Sequence, residues 1–170
     1  WQILKTPHLT LRESTVSDVE DFYRIYQDPS ITKYMERLFP DRDEERSYMK
    51  DYIQKIYGFY GFGLWSVIHT VTGTVIGRAG LSVREGYEIP ELGFVTEVAF
   101  QHQGYTYEIC EAILRYARDE LEFPQVQAFC HPENTASLHL LQKLGFTYAG
   151  EDLLQGIPHA RYIVSLPKSC

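Results

Sequence analysis

Apolar positions recur along the chain with two periods, and the changes of period mark its elements. Leu9 to Arg12 alternates apolar and polar residues, as a strand at a sheet edge does. Ser17-Asp18-Val19-Glu20 has the form of a capping box with Ser17 as N-cap, after which Val19, Phe22, Tyr23 and Tyr26 share a helical face until Asp28-Pro29 ends it. The stretch from Ile31 to Pro40 reads as irregular or a short helix. From Asp43 to Tyr57, Tyr48, Met49, Tyr52, Ile53 and Ile56 line one side and charges the other, which predicts a second helix. Gly58 to Gly63 is a turn. Three strand patterns follow, Leu64 to His69, Thr74 to Val83 and Leu92 to Val98, with a hairpin turn at Thr72-Gly73 and a loop from Gly86 to Pro90. Helical spacing returns from Gly104 to Leu121, a short strand spans Val126 to Phe129, and a helix from Asn134 to Leu144 stops at Gly145. Phe146 to Gly150 and Arg161 to Leu166 are closing strands.

This order predicts an α/β (α+β) domain, mostly antiparallel in its first half, with one strand–helix–strand crossover. The chain of 170 residues suits a single domain, 1–170, and its start at Trp1 fits a domain cut from a longer chain. Hydrophobic residues at 44% and charged residues at 23% exclude a disordered chain. A net charge of −7 argues against nucleic acid as a partner and mildly favours a cationic one, amines included. Cys110, Cys130 and Cys170 form no CxxC, which reads as reduced thiols in a cytoplasmic protein, the first two being small core residues. No apolar run approaches the roughly 20 residues of a membrane span. Nothing in the pattern calls for a metal.

The chemistry concentrates at two helix starts. In Gln101-His102-Gln103-Gly104-Tyr105-Thr106-Tyr107-Glu108 a strand gives way to a long helix through Gly104. The first amides of a helix lack carbonyl partners and lie at the positive end of its dipole, so this junction suits an anion such as a diphosphate. A plain structural turn accounts for it equally well. The second segment is Asn134-Thr135-Ala136-Ser137-Leu138, leading to Lys143-Leu144-Gly145-Phe146. Asn134 and Ser137 lie three apart on one face of the first turn. Asn134 as N-cap, Leu140, Leu141 and Leu144 as core and Gly145 as stop explain each part, but not the combination.

The combination N-x-x-S-x-x-L-x-x-K-L-G-F closely resembles the C-terminal motif of the GNAT N-acetyltransferases. The start of the chain agrees: Thr6-Pro7-His8-Leu9-Thr10-Leu11-Arg12, Asp18 and Asp28-Pro29 resemble landmarks of the ribosomal-protein N-terminal acetyltransferase (RimJ/RimL-type) branch, with His8 where an Arg is usual. Gln101-x-x-Gly104-x-Thr106 is similar to the acetyl-CoA signature (Q/R)-x-x-G-x-(G/A), with Thr106 at the last small position and bulky Tyr107 after it. The three motifs cover nearly the whole chain in order.

The resemblance implies the GNAT fold, a twisted, mostly antiparallel sheet splayed between its fourth and fifth strands, here Leu92 to Val98 and Val126 to Phe129. It implies acetyl-CoA as cosubstrate, its pantetheine arm in the splay. The backbone of Phe94, Val95 and Thr96 pairs with that arm like an added strand, and His102, Gln103, Gly104, Tyr105, Thr106 and Tyr107 hold the diphosphate. Asn134 contacts the arm through its side chain. The implied reaction is direct attack of a primary amine on the thioester, with an N–H near Val95 or Thr96 as oxyanion donor. Ser137 falls where the branch places a serine near the thioester sulfur, as donor to the leaving thiolate; its alternative is a serine bonded to its own backbone. Where some members carry a Tyr, seven residues after Asn134, this chain has Leu141.

For the general base, Glu91 opens the fourth strand on the face of Gly93 and Val95 and resembles a catalytic carboxylate of the superfamily. An apolar setting there raises its proton affinity. Glu97 shares the face, His131 titrates near neutrality, and a relay of waters needs no base. Tyr57, Phe59, Tyr60 and Phe62 are candidates for an aromatic acceptor pocket, although loop anchors and core is the favoured reading. Acceptors compatible with the resemblance are a protein N-terminus, a polyamine, an aminoglycoside or a small metabolite, for a monomer or homodimer. The alternative is a non-catalytic acyl-CoA-binding module. A nucleotide-binding domain is disfavoured, as neither a Walker lysine nor G-x-G-x-x-G occurs.

Overall fold

The computed structural model describes residues 1–168; Cys170 lies outside the described residues. Eight strands form one sheet: β1 Gln2–Lys5, β2 Leu9–Arg12, β3 Leu64–His69, β4 Thr74–Ser82, β5 Glu91–Thr96, β6 Gln125–Cys130, β7 Thr147–Leu154 and β8 Ile157–Ser165. Their spatial order is β1-β2-β3-β4-β5-β6-β8-β7. Every neighbouring pair is antiparallel except β5 and β6. The helices are α1 Val19–Ile25, α2 Pro29–Thr32, α3 Arg42–Tyr52, α4 Gly58–Tyr60, α5 Tyr105–Asp119 and α6 Thr135–Lys143. This is the expected GNAT fold, and because β1 was not foreseen, the predicted fourth and fifth strands are β5 and β6.

The sheet separates two cores. On one face Leu11, Trp65, Ala79, Leu81, Leu92 and Val126 pack with Ile109 and Ile113 of α5 and Leu141 of α6. On the other, Val75 and Val95 pack against Val19, Phe22 and Ile25 of α1 and Met49 of α3. Alternation assigns each strand residue to its face: Leu92 and Phe94 look toward α5, Glu91, Gly93 and Val95 toward α1. The α1 face therefore receives whatever approaches β5 from the side of the first two helices.

Several local expectations are corrected. The capping box is formed by Thr15 and Asp18, not Ser17 and Glu20: Thr15 caps a 3₁₀ turn, Val16–Asp18, that leads into α1. Its N–H donates to the Asp18 carboxylate at 2.9 Å, and Asp18 is also gripped by both terminal nitrogens of Arg12, at 2.7 and 2.8 Å. The acid wins the end of the helix because it closes this ion pair, whereas Ser17 only meets the Thr15 hydroxyl. The second helix does not run evenly to Tyr57: after Tyr52 a π turn, Ile53–Tyr57, inserts a residue. That shift aims both Tyr52 and Tyr57 inward. Tyr52 Oη accepts from Leu64 N–H at 2.8 Å, and Tyr57 Oη accepts from Ser14 N–H at 3.1 Å while donating to the Leu64 carbonyl. The closing strands extend to meet at Gln155-Gly156, both with positive φ (52° and 77°), a tight hairpin turn that a Gln-Gly pair signals less clearly than Asn-Gly.

The cofactor cradle and candidate active site

β5 is paired along its whole length with β4, from Glu91 opposite Ser82 to Thr96 opposite Gly77, but with β6 only at Glu91 opposite Gln127. Beyond that point the two parallel strands part, and the β6-facing edge of β5 from Leu92 to Thr96 has no strand partner among the described residues. An extended amide-bearing chain fits such an edge by strand addition. Phe94 and Thr96 are half-buried there and Val95 is buried on the opposite face.

A short 3₁₀ turn, Val98–Phe100, leads from β5 to the loop before α5. His102 and Gly104 both take left-handed backbone, φ 62° and 82°, and no side-chain cap closes the N-terminus of α5. Glu108 N–H already bonds Gly104 O at 3.0 Å, so the free donors of the first turn belong to Tyr105, Thr106 and Tyr107. A Cβ placed on Gly104 meets no atom within 4 Å: this glycine is required by its dihedral angle, and the space outside it is open. His102, Gln103 and Gly104 are exposed. The one carboxylate in this turn, Glu108, is occupied elsewhere. It accepts from Thr6 Oγ1 at 2.6 Å, from His8 N–H at 3.0 Å and from His8 Nδ1 at 2.8 Å. Burial pushes its proton affinity up, but these bonds outweigh it and hold it below the usual carboxylate value. His8, the departure from the expected Arg, thus meets Glu108 through both its backbone N–H and its ring.

The signature side chains brace the loop. Gln101 Nε2 donates to Thr96 O at 2.9 Å, Gln103 Nε2 to Ala99 O at 3.3 Å, and the hydroxyls of Thr96 and Thr106 bond at 2.6 Å. The hydroxyl of Thr106, extra to the small residue of the signature, stitches the end of β5 to the start of α5. Sequence reasoning missed Lys143, whose Nζ lies 4.3 Å from the centre of the Tyr107 ring and sets a cation beside the same turn. Its only sequence signal was its place in the C-terminal motif.

Across the splay, Asn134 is the N-cap of α6, its Oδ1 accepting from Ser137 N–H at 3.2 Å. The capping role therefore holds, and it leaves the side-chain NH₂ of Asn134 as a donor. Ser137 is half-buried one turn in, and Leu141 is core at 1% exposure.

The candidate bases are all engaged. Glu91 is not in an apolar setting: Arg84 holds both of its oxygens, Nη2 to Oε2 at 3.0 Å, and the Arg84 guanidinium lies 5.1 Å over Phe129. An amine reaches Glu91 only in competition with Arg84. Glu97 pairs with Arg24 Nε at 3.1 Å, while Arg24 Nη2 holds Val75 O at 2.6 Å, which ties α1 to the sheet. His131 Nδ1 accepts from Glu133 N–H at 3.1 Å, so in the neutral ring Nε2 carries the proton and is a donor. Its ring lies between Tyr34 at 5.0 Å and His159 at 5.7 Å. The aromatic run does not form a pocket: Tyr57 and Phe62 are core, at 5% and 6% exposure, and Phe59 is exposed. Burial pushes the Cys110 thiol far above its usual range, in keeping with a packed, unreactive role.

Among the described residues no helix is long and apolar enough to cross a membrane. Comparison with known proteins agrees with this geometry. The family profile described as "Acetyltransferase (GNAT) domain" matches residues 8–147. The "Uncharacterized N-acetyltransferase p20" of Bacillus licheniformis is 29% identical over 153 residues, covering 88% of this chain and 84% of its own. Among solved structures, a GNAT-family acetyltransferase of Bacillus anthracis superposes with a TM-score of 0.81 at 22% identity over 97% of this chain and 98% of that one. RimL, a ribosomal L7/L12 alpha-N-protein acetyltransferase in complex with coenzyme A, does so with 0.78 at 17% identity over 98% of each chain. GNAT enzymes take acyl groups from an acyl-CoA, and the bare amides of α5 beside the open edge of β5 suit its diphosphate and pantetheine. This chain belongs to the GNAT acetyltransferase family and is an acyltransferase.

Proposed function

We propose that the protein transfers an acetyl group from acetyl-CoA to a primary amine by direct attack, as a RimJ/RimL-type cytoplasmic enzyme. The observation that carries the reading is the junction of two unsatisfied backbone surfaces, the N–H groups of Tyr105 to Tyr107 and the edge of β5. His102, Gln103, Gly104 and Thr106 shape the diphosphate turn, Phe94 to Thr96 pair with the pantetheine amides, and the Asn134 NH₂ donates to the arm.

In the reaction the amine nitrogen attacks the thioester carbonyl. The new N–C bond forms a tetrahedral oxyanion, for which an N–H near Val95 or Thr96 is the donor. The C–S bond then breaks, the thiolate takes the Ser137 hydroxyl proton, and solvent restores that proton. The proton lost by the amine passes to Glu91, directly or through water, when Arg84 yields one of its oxygens. This competition makes Glu91 the less essential of the two catalytic residues. Thiol release measured across protein N-terminal peptides, polyamines, aminoglycosides and amino acids tests the assignment. Turnover that falls in Ser137→Ala, and less in Glu91→Gln, supports it. Binding of acetyl-CoA without turnover on any amine contradicts it.

A further inference from the structure

The α1-facing side of β6 and β8 carries a polar relay that neither the cofactor cradle nor the proposed reaction uses. Gln127 is wholly buried at the single point where β5 and β6 pair. Its Nε2 donates to Ile89 O at 3.1 Å, and its Oε1 accepts from Arg161 Nε at 2.7 Å. The Arg161 guanidinium lies 5.0 Å over the Tyr87 ring, and Tyr87 packs edge-on against Phe129 at 5.5 Å. A buried amide and an aromatic face thus fix the orientation of a half-buried guanidinium. None of the ion pairs among the described residues includes Arg161.

The neighbouring guanidinium makes the contrast. Arg84 lies 5.1 Å from the centre of the Phe129 ring and spends both its Nε and a terminal nitrogen on Glu91. The acids near Arg84 also have partners: Asp152 Oδ1 accepts from its own neighbour, Leu153 N–H, at 2.9 Å, and Glu36 is held by Gln155 at 2.5 Å. Opposite Arg161 on β7 the register breaks between Tyr148 and Glu151, so no side chain pairs with it across that ladder. Arranging a guanidinium by its Nε leaves the Nη fork free, and that planar fork matches a carboxylate.

Resting on the amine-acetylation reading, we propose that Arg161, positioned by Gln127, is an acceptor-specificity residue that takes a carboxylate of the acceptor. Arg161 is two strands from β5 and lies across the splay, so the gap exceeds the roughly 10 Å of two paired strand spacings. The guanidinium reaches from β8 to Gln127 of β6 through its Nε, and the acceptor spans the rest of the gap to the thioester edge. The acceptor class is then an amine that also bears a carboxylate, such as a free amino acid or a peptide beginning with an acidic residue. This differs from the cationic acceptor that net charge alone suggests, because one oriented fork outweighs a diffuse surface field at contact distance.

The test compares kcat/KM within matched pairs: lysine against cadaverine, tyrosine against tyramine, and the C-terminally amidated peptides Glu-Ala-Ala against Gln-Ala-Ala. Wild type is expected to favour the carboxylate member at least tenfold in the free-acid pairs, the peptide pair or both, which identifies the source of the carboxylate. In Arg161→Met the preference collapses to about one. Arg161→Lys keeps the charge but loses the fork and the Gln127 tether, and retains only part of the preference. Because each ratio is measured on one preparation, partial misfolding of a variant cancels. Preference for cadaverine or tyramine in wild type, or a ratio unchanged in Arg161→Met, overturns the assignment while leaving the acetylation reading intact. Acetyl-CoA binding with no acetylation of either member of any pair overturns the Arg161 assignment, and overturns the acetylation reading as well when the wider amine panel is also inert.

Discussion

Two polar regions of this molecule are built on opposite terms. Around Asp18 every group is answered: the Arg12 fork, the Thr15 N–H and the Ser66 hydroxyl converge on one carboxylate, and Ser66 in turn meets Ser14. At the start of α5 the side chains are answered but the backbone is not. Gln101, Thr96 and Thr106 bond one another while the first amides of the helix and the edge of β5 stay open. Buried polar groups normally find partners. The closed network holds β2, β3 and α1 together, and the open one leaves donors that the proposed function gives to the cofactor. The same contrast recurs between Arg84, closed on Glu91, and Arg161, whose fork is open.

Substitutions break the comparison in graded steps. Asp18→Asn leaves the Arg12 guanidinium without its counter-charge and is expected to cost about 3 kcal/mol of unfolding free energy in urea titration. Burial alone pushes the proton affinity of Asp18 up, but Arg12, the Thr15 amide and Ser66 prevail and hold it below the ordinary carboxylate value. Its contribution is therefore complete above about pH 4 and is lost as pH falls through the depressed value. The wild type and Asp18→Asn converge in stability in acid. Equal stability of the two at neutral pH would show that the network is not structural.

Ser137→Ala acts on the open side. Losing the donor to the thiolate is expected to lower kcat about 100-fold, with little change in the KM for acetyl-CoA. An unchanged kcat in steady-state thiol release removes Ser137 from the reaction. Gly104→Val forces a β-branched residue into left-handed backbone and sets a side chain in the open space before α5. The KM for acetyl-CoA should rise tenfold or more, about 1.4 kcal/mol, in a protein whose circular dichroism is unchanged. The smallest effect belongs to Thr106→Ala. It removes one stitch between β5 and α5, and a loss of about 1 kcal/mol in thermal stability is expected, with diphosphate binding retained.

Much of this was legible in the residues. Alternation and helical spacing located β2 to β6 and α5 and α6, because those segments bury one long face each and α6 carries its own stop signal at Gly145. Asp28-Pro29, read as the end of a helix, caps and opens α2 instead. β1 escaped because Gln2–Lys5 is a four-residue strand whose only warrant is its partner β2. The lengths of β7 and β8 escaped because their hairpin is mostly exposed and polar, so no hydrophobic face marks its register. The left-handed turn that opens α5 was readable at Gly104. The partners of Glu91, Glu97 and Gln101 were not, since each bond depends on a side chain whose position only the folded sheet fixes. Gln127 offered one signal: a polar residue within the apolar run of β6, on the Phe129 face.

The central claim is that the bare amides of Tyr105, Thr106 and Tyr107 hold the diphosphate while the edge of β5 holds the pantetheine. Amide-resolved nuclear magnetic resonance tests it directly when acetyl-CoA is compared with S-acetylpantetheine, which lacks the nucleotide and diphosphate. The account predicts that acetyl-CoA shifts the amides of residues 105–107 together with those of β5, and that S-acetylpantetheine shifts only the latter. Saturable binding of acetyl-CoA that leaves residues 105–107 unmoved would contradict it.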